Sequence, residues 1–169
     1  MINYGALVLA AAKSHLGVKE ATPNWGEQIA LYLAKVGLKT PEPWCAAFVA
    51  WTGWNALLDP ATGTSAWPAP LTGGCKALGA WADKKKVLTE LGAPGQFYLL
   101  YFASLSRFAH TGWVVAPTGE PNQWWVIDGN SNDNGSREGY CVILRKRTID
   151  TTKGHRFVDW ASLLPKEAA

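Results

Sequence analysis

Three separated stretches of the chain carry residue types that together can break an acyl bond: a cysteine at 45, a histidine at 110 and an Asp-Gly-Asn triplet at 128–130. A cysteine nucleophile acts as the thiolate, needs a base to hold or take its proton, and needs a third group to orient that base and fix its tautomer. Cys45 lies in Pro43-Trp44-Cys45-Ala46-Ala47-Phe48-Val49-Ala50-Trp51. Proline suits the first turn of a helix, and the alanine-rich run behind it continues helically. Cys45 is therefore expected in a first helical turn, beside unpaired backbone N–H groups and the positive end of the helix dipole, where the thiolate is favoured. Taken alone, a cysteine in so apolar a run reads equally well as a small buried hydrophobe.

Of the three histidines, His15 falls on an amphipathic helix among polar residues, and Lys153-Gly154-His155-Arg156 reads as an exposed turn. His110 opens an apolar strand, His110-Thr111-Gly112-Trp113-Val114-Val115, where a rigid support can aim it into a cleft and Gly112 permits close backbone approach. The next strand, Trp124-Trp125-Val126-Ile127, runs into Asp128-Gly129-Asn130. If that strand persists, alternation puts Asp128 and Asn130 on one side, beside His110. The same triplet is also well suited to a hairpin turn.

Composition sets the frame for these residues. With 169 residues, 48% hydrophobic and 17% charged, the chain reads as a single globular domain over 1–169. Its net charge of +3 is mild, and Lys84-Lys85-Lys86 and Arg145-Lys146-Arg147 read as solvated faces. A nucleic-acid partner would call for a denser basic stripe interleaved with aromatics, so none is expected, while an anionic cell wall would be modestly attractive. Ten tryptophans exceed what a core of this size needs, and Trp25, Trp44, Trp67 and Trp113 are candidates to line a substrate groove. Three cysteines without a C-x-x-C spacing argue against a disulfide framework or zinc knuckle, and no metal or cofactor is expected. The apolar Gly5–Ala12 run has no basic residue before it and is too short to span a bilayer; synthesis in the cytoplasm without a signal peptide, no membrane insertion and a monomer are expected.

Helical periodicity covers residues 4–16, 25–36 and about 44–57, and a short helix is expected over Cys75–Lys84 after a Pro- and Gly-rich loop from Asp59 to Gly74. From Pro94 the pattern turns extended: 96–102, 111–116, 124–128, 140–147 and 156–158, separated by turn residues, with a frayed tail after Leu164. Helices first and antiparallel strands second indicate an α+β fold.

The cysteine of Pro-Trp-Cys-Ala-Ala-Phe-Val, the histidine of Ala-His-Thr-Gly-Trp-Val-Val and the acidic-Gly-Asn triplet, in that order, resemble the CHAP (cysteine, histidine-dependent amidohydrolase/peptidase) family of the NlpC/P60 papain-like group. The resemblance runs over about residues 5–147. It takes in Gly17-Val18-Lys19-Glu20 with Asn24 and Gly26, and Gly129-Asn130-Ser131-Asn132 through Gly135-Ser136-Arg137-Glu138-Gly139. It implies a papain-like arrangement of N-terminal helices on an antiparallel sheet. It also implies Cys45 as nucleophile, His110 as general base, and either Asp128 or Asn130 to orient the imidazole, the favoured split being Asp128 on the imidazole and Asn130 near the thiol. Asp128 stands where the family commonly has glutamate, and Pro94-Gly95-Gln96 where it often has Pro-Gly-Asp. The implied function is hydrolysis of bacterial peptidoglycan, as amidase or endopeptidase, in a phage endolysin acting on the wall after release. The alternatives are a non-catalytic, tryptophan-rich glycan- or protein-binding domain, and a secreted antibacterial effector with the same chemistry.

Overall fold

Helix α1 (Tyr4–Lys13) begins where the Asn3 side chain accepts a hydrogen bond from the Ala6 N–H at 2.9 Å. Helices α2 (Glu27–Lys35), α3 (Cys45–Ala56) and α4 (Cys75–Lys84) follow. The computed structural model describes residues 2–132 and 139–165 of the chain. Each helix lies within a segment of helical periodicity, and α4 spans the residues expected for it. The Asp59–Gly74 loop holds a small hairpin of β1 (Leu58–Asp59) and β2 (Thr64–Ser65).

The second half forms a six-stranded antiparallel sheet in the order β3-β8-β4-β5-β6-β7. Its strands are β3 (Leu88–Thr89), β4 (Phe97–Phe102), β5 (Arg107–Pro117), β6 (Gln123–Ser131), β7 (Cys141–Thr148) and β8 (Arg156–Val158). Helices before an antiparallel sheet make this an α+β fold. Alternation along β4 sends Phe97 and Leu99 into the main core with the helices, and Tyr98 and Leu100 into a smaller cluster with Val114, Val126, Ile149 and Phe157.

Two strands are longer than their sequence pattern indicated. Strand β5 starts at Arg107, because it closes a hairpin on β4 through the short 3-10 turn Ala103–Leu105; His110 therefore lies inside the strand, just past a bulge, and does not open it. Strand β6 continues to Ser131, so Asp128-Gly129-Asn130 is strand and bulge, with no hairpin turn there. The expected frayed tail lies outside the described residues from 166 onward, and so do residues 133–138 of the polar tract.

Tryptophans fill the core in place of a groove. Trp44 and Trp113 are fully buried and Trp67 is 6% exposed. Trp67 packs on Trp113, Trp160 and Phe97, with ring centroids 5.8, 4.9 and 6.2 Å away. The indole N–H groups of Trp113 and Trp44 donate to Thr52 Oγ1 and Glu20 Oε1, both at 2.8 Å, which lets rings this polar be buried. Trp25 is half-buried against the same core. Among the described residues no helix is long and apolar enough to cross a membrane.

Candidate active site

Cys45 is the first residue of α3, and no side chain caps that helix. The N–H groups of its first turn thus have no intrahelical acceptor and face outward from the helix start. The helix is fixed to the sheet from both ends of its first two turns. Farther along it, Thr52 Oγ1 accepts from the Trp113 indole of β5. At its start, Gly129 of β6 meets the ring of Trp44 and the side chain of Phe48: a Cβ there would stand 2.8 and 2.7 Å from them. Only glycine allows that approach, which brings the Cys45 sulfur to the sheet.

The β5–β6 ladder extends from Pro117–Trp124 to Trp113–Ile127; Arg107–Gly112 pair with β4. Here the Thr111 backbone and the His110 ring lie beside the Cys45 sulfur and favour its charged form. The imidazole presents Nε2 to Asp128 Oδ2 at 3.4 Å. The residue Cys45 is 6% exposed and the His110 side chain 14%, so the pair is nearly but not wholly covered.

Asp128 is fully buried, and every contact it makes favours its charge. Oδ1 accepts from the Tyr98 hydroxyl. Oδ2 accepts from Arg147 Nε at 2.9 Å and also from Arg147 Nη2. Burial by itself would raise the Asp128 pKa; the guanidinium, aided by His110 and Tyr98, outweighs it and holds the carboxyl well below the usual carboxylate range. For His110, burial disfavours the cation, but the neighbouring Asp128 and Cys45 prevail and raise its pKa to about 9. Cys45 is shifted the opposite way. The Cys75 thiol, 3.7 Å from it, is the largest cause, burial opposes, and His110 and Thr111 add to the lowering. Both shifts act to favour thiolate beside imidazolium. That pair is the reactive state of a cysteine nucleophile.

Asn130 is placed differently from Asp128. Alternation would put both on one side of β6, but the register shift between Asp128 and Ser131 and the left-handed φ of 52° at Asn130 separate them. The Asn130 amide donates to the Gly139 carbonyl at 2.7 Å and accepts from the Trp44 N–H at 3.3 Å, next to Cys45 in the chain. Asp128 thus contacts the imidazole, and Asn130 the backbone that carries the thiol.

Compared with protein-family models, curated proteins and solved structures, the chain matches none. Its chemistry is therefore read from its own side chains.

Several contributors are absent from the sequence reading. Arg147 belongs to a basic triplet read as solvated, yet burial in β7 alternates: Ile143, Arg145 and Arg147 are half-buried while Leu144, Lys146 and Thr148 are exposed. Arg145 turns to Ser131 Oγ at 3.2 Å and to the Asn132 carbonyl. That alternation was the available signal. Tyr98 and Cys75 carried none, since their partners lie 30 residues away. His15 is no plain surface group: its Nδ1 meets the Tyr32 hydroxyl at 2.7 Å, and its ring stands edge-on to Trp51. His155 is half-buried and accepts from the Tyr101 N–H at 3.1 Å. Trp44, Trp67 and Trp113, expected at a groove, serve the core. Among the described residues no group of three His, Cys, Asp or Glu is placed to hold a metal ion.

Proposed function

We propose that this protein is a cysteine-dependent hydrolase of the papain-like, CHAP type, cleaving an amide bond of bacterial peptidoglycan. The observation that carries the reading is the Cys45–His110–Asp128 series at the uncapped start of α3, with thiol and imidazole pKa values displaced in opposite directions. The choice of peptidoglycan as substrate rests on the motif resemblance; the bond is either the N-acetylmuramoyl–L-alanine amide or a peptide bond of the stem or cross-bridge. A phage endolysin and a delivered antibacterial effector would use the same chemistry.

In this reading the Cys45 thiolate attacks the amide carbonyl. The oxyanion that develops is met by backbone N–H groups at the start of α3, that of Cys45 among them; one such donor is worth about 3 kcal/mol. The His110 imidazolium gives its proton to the departing amine, and the neutral imidazole then takes one from the water that hydrolyses the thioester. Asp128, fixed by Arg147 and Tyr98, keeps the imidazole oriented throughout. Burial of Trp44, Trp67 and Trp113 in the core takes those three rings from the surface that a non-catalytic, tryptophan-rich binder would use.

The test is digestion of purified sacculi by the wild type and by Cys45→Ala, with mass spectrometry of the released muropeptides. The wild type is expected to release fragments whose new ends identify the bond, and the variant none, while it still folds and melts cooperatively. Activity retained in Cys45→Ala would move the nucleophile to another residue, Cys75 first. Release by neither protein would remove peptidoglycan as substrate.

A further inference from the structure

Cys45 and Cys75 each begin a helix, α3 and α4, and those two helix starts converge so that the sulfurs sit 3.7 Å apart with no disulfide between them. The convergence is built into the packing. Leu78 and Ala82 of α4 belong to the core that also holds Ala46, Phe48 and Val49 of α3, and Gly79 lies against the ring of Phe108. A disulfide needs about 2.05 Å between sulfurs, so closure asks for roughly 1.7 Å of approach. Cys141 is engaged elsewhere, its thiol donating to the Ser131 carbonyl at 3.3 Å.

We propose that Cys45 and Cys75 are a redox modification site: a hydroperoxide oxidises Cys45, and Cys75 resolves the product into an intramolecular disulfide. The Cys45 thiolate attacks one peroxide oxygen; the S–O bond forms, the O–O bond breaks, and the departing hydroxide takes a proton to become water. The Cys75 sulfur then attacks the Cys45 sulfenic sulfur. The S–S bond forms, the S–O bond breaks, and the leaving hydroxide carries off the Cys75 proton as a second water. Two thiols lose two electrons, and hydrogen peroxide is reduced to two waters. The two sulfurs play unequal parts. Cys45 is held toward the thiolate and meets the oxidant, whereas its charge and burial hold Cys75 as the thiol until the sulfenic acid forms beside it. Disulfide formation itself does not depend on the hydrolase reading; only the resulting loss of hydrolysis rests on that reading.

The test treats the purified, reduced full chain with hydrogen peroxide, quenches with an alkylating agent in denaturant, and measures intact mass and peptide map. The proposal expects an intact mass lower than that of the reduced, alkylated control by two alkyl additions and about 2 Da more, a linked peptide joining Cys45 to Cys75, and a roughly tenfold or greater fall in sacculus digestion that dithiothreitol reverses. In Cys75→Ala the linked peptide is absent, and Cys45 instead gains about 32 Da as the sulfinic acid, which dithiothreitol does not reverse. Wild-type protein that gains those oxygens without forming the linked peptide, or that links Cys141, overturns the proposal. A linked peptide in a protein that never digests sacculi sustains the disulfide and sinks the substrate assignment instead.

Discussion

Arg147 reaches Asp128 Oδ2 with Nε at 2.9 Å, the same oxygen that His110 Nε2 faces at 3.4 Å. One buried carboxylate oxygen therefore serves both a permanent cation and a titratable one. Arg147 neutralises the cost of burying Asp128, and Asp128 in turn raises the His110 pKa, so a residue of β7 acts on the imidazole through β6. Arg147 is a positioning residue: its Nη2 also comes within 3.4 Å of His110 Nε2, but it has no contact with the sulfur.

Arg147→Ala leaves the Asp128 charge buried without its main partner, and breaking a buried pair costs about 3–5 kcal/mol. Arg147→Lys keeps the charge but loses the two-pronged geometry, and should recover only part of that loss. Urea unfolding of the three proteins is the check. A loss below about 1 kcal/mol for Arg147→Ala would mean that the pair is solvated and Asp128 is held by other groups.

Asp128→Asn keeps the side-chain shape and removes the charge. The dependence of kcat/KM on pH should rise as Cys45 ionises and fall near pH 9 as His110 loses its proton. In the variant the alkaline limb moves to lower pH, and kcat falls by about 10²–10⁴-fold. An alkaline limb unmoved by the substitution would assign it to a group other than His110.

The Cys45–His110 pair leaves its mark on stability. Unfolded, histidine titrates near 6.5 and cysteine near 9; folded, Cys45 titrates well below 9 and His110 at about 9. Above both 6.5 and the lowered folded value of Cys45, and up to about 9, both states hold one proton on the pair, as thiol when unfolded and as imidazolium when folded, so its contribution is flat. Taken singly, the raised His110 contributes stability that is lost as pH rises toward about 9, and the lowered Cys45 contributes stability that is lost as pH falls through its folded value. The depressed Asp128 pKa adds loss in the same direction below about 4. In Cys45→Ala the thiol no longer compensates, and stability should decline as pH rises from about 6.5 toward the folded His110 value. Equal slopes for wild type and variant across that window would show that no ion pair exists.

Gly112→Ala would drive a methyl group into Asp128 Oδ1 and leave it 2.8 Å from the Ile127 carbonyl. The carboxylate must shift off its partners, so activity is expected to fall by more than about tenfold with a stability loss of about 1–3 kcal/mol. Full activity in Gly112→Ala would show that Asp128 need not stay where it lies.

The parts of this molecule that sequence reveals are those written in local period. Helix α4 over Cys75–Lys84 and strand β8 over Arg156–Val158 were legible because helical or extended patterns there are bounded by glycine, proline or polar turns. Cys45 and His110 stood out by type and surroundings. What stayed hidden depends on pairing across the chain. The bulge that parts Asp128 from Asn130 comes from packing β6 on both β7 and α3. Whether Trp67 faces a groove or fits against Gly53 is set by residues far from it in sequence. Tyr98 read as one more apolar strand residue until its hydroxyl met Asp128.

Rates of alkylation by iodoacetamide at neutral pH, read cysteine by cysteine in the folded wild type and in His110→Ala, test the central claim most directly. A thiolate held by His110 predicts that Cys45 reacts far faster than Cys75 or Cys141, that its labelling tracks loss of sacculus digestion, and that the advantage collapses in His110→Ala. Cys45 reacting no faster than Cys75 in the wild type, or equally fast without the imidazole, would contradict it.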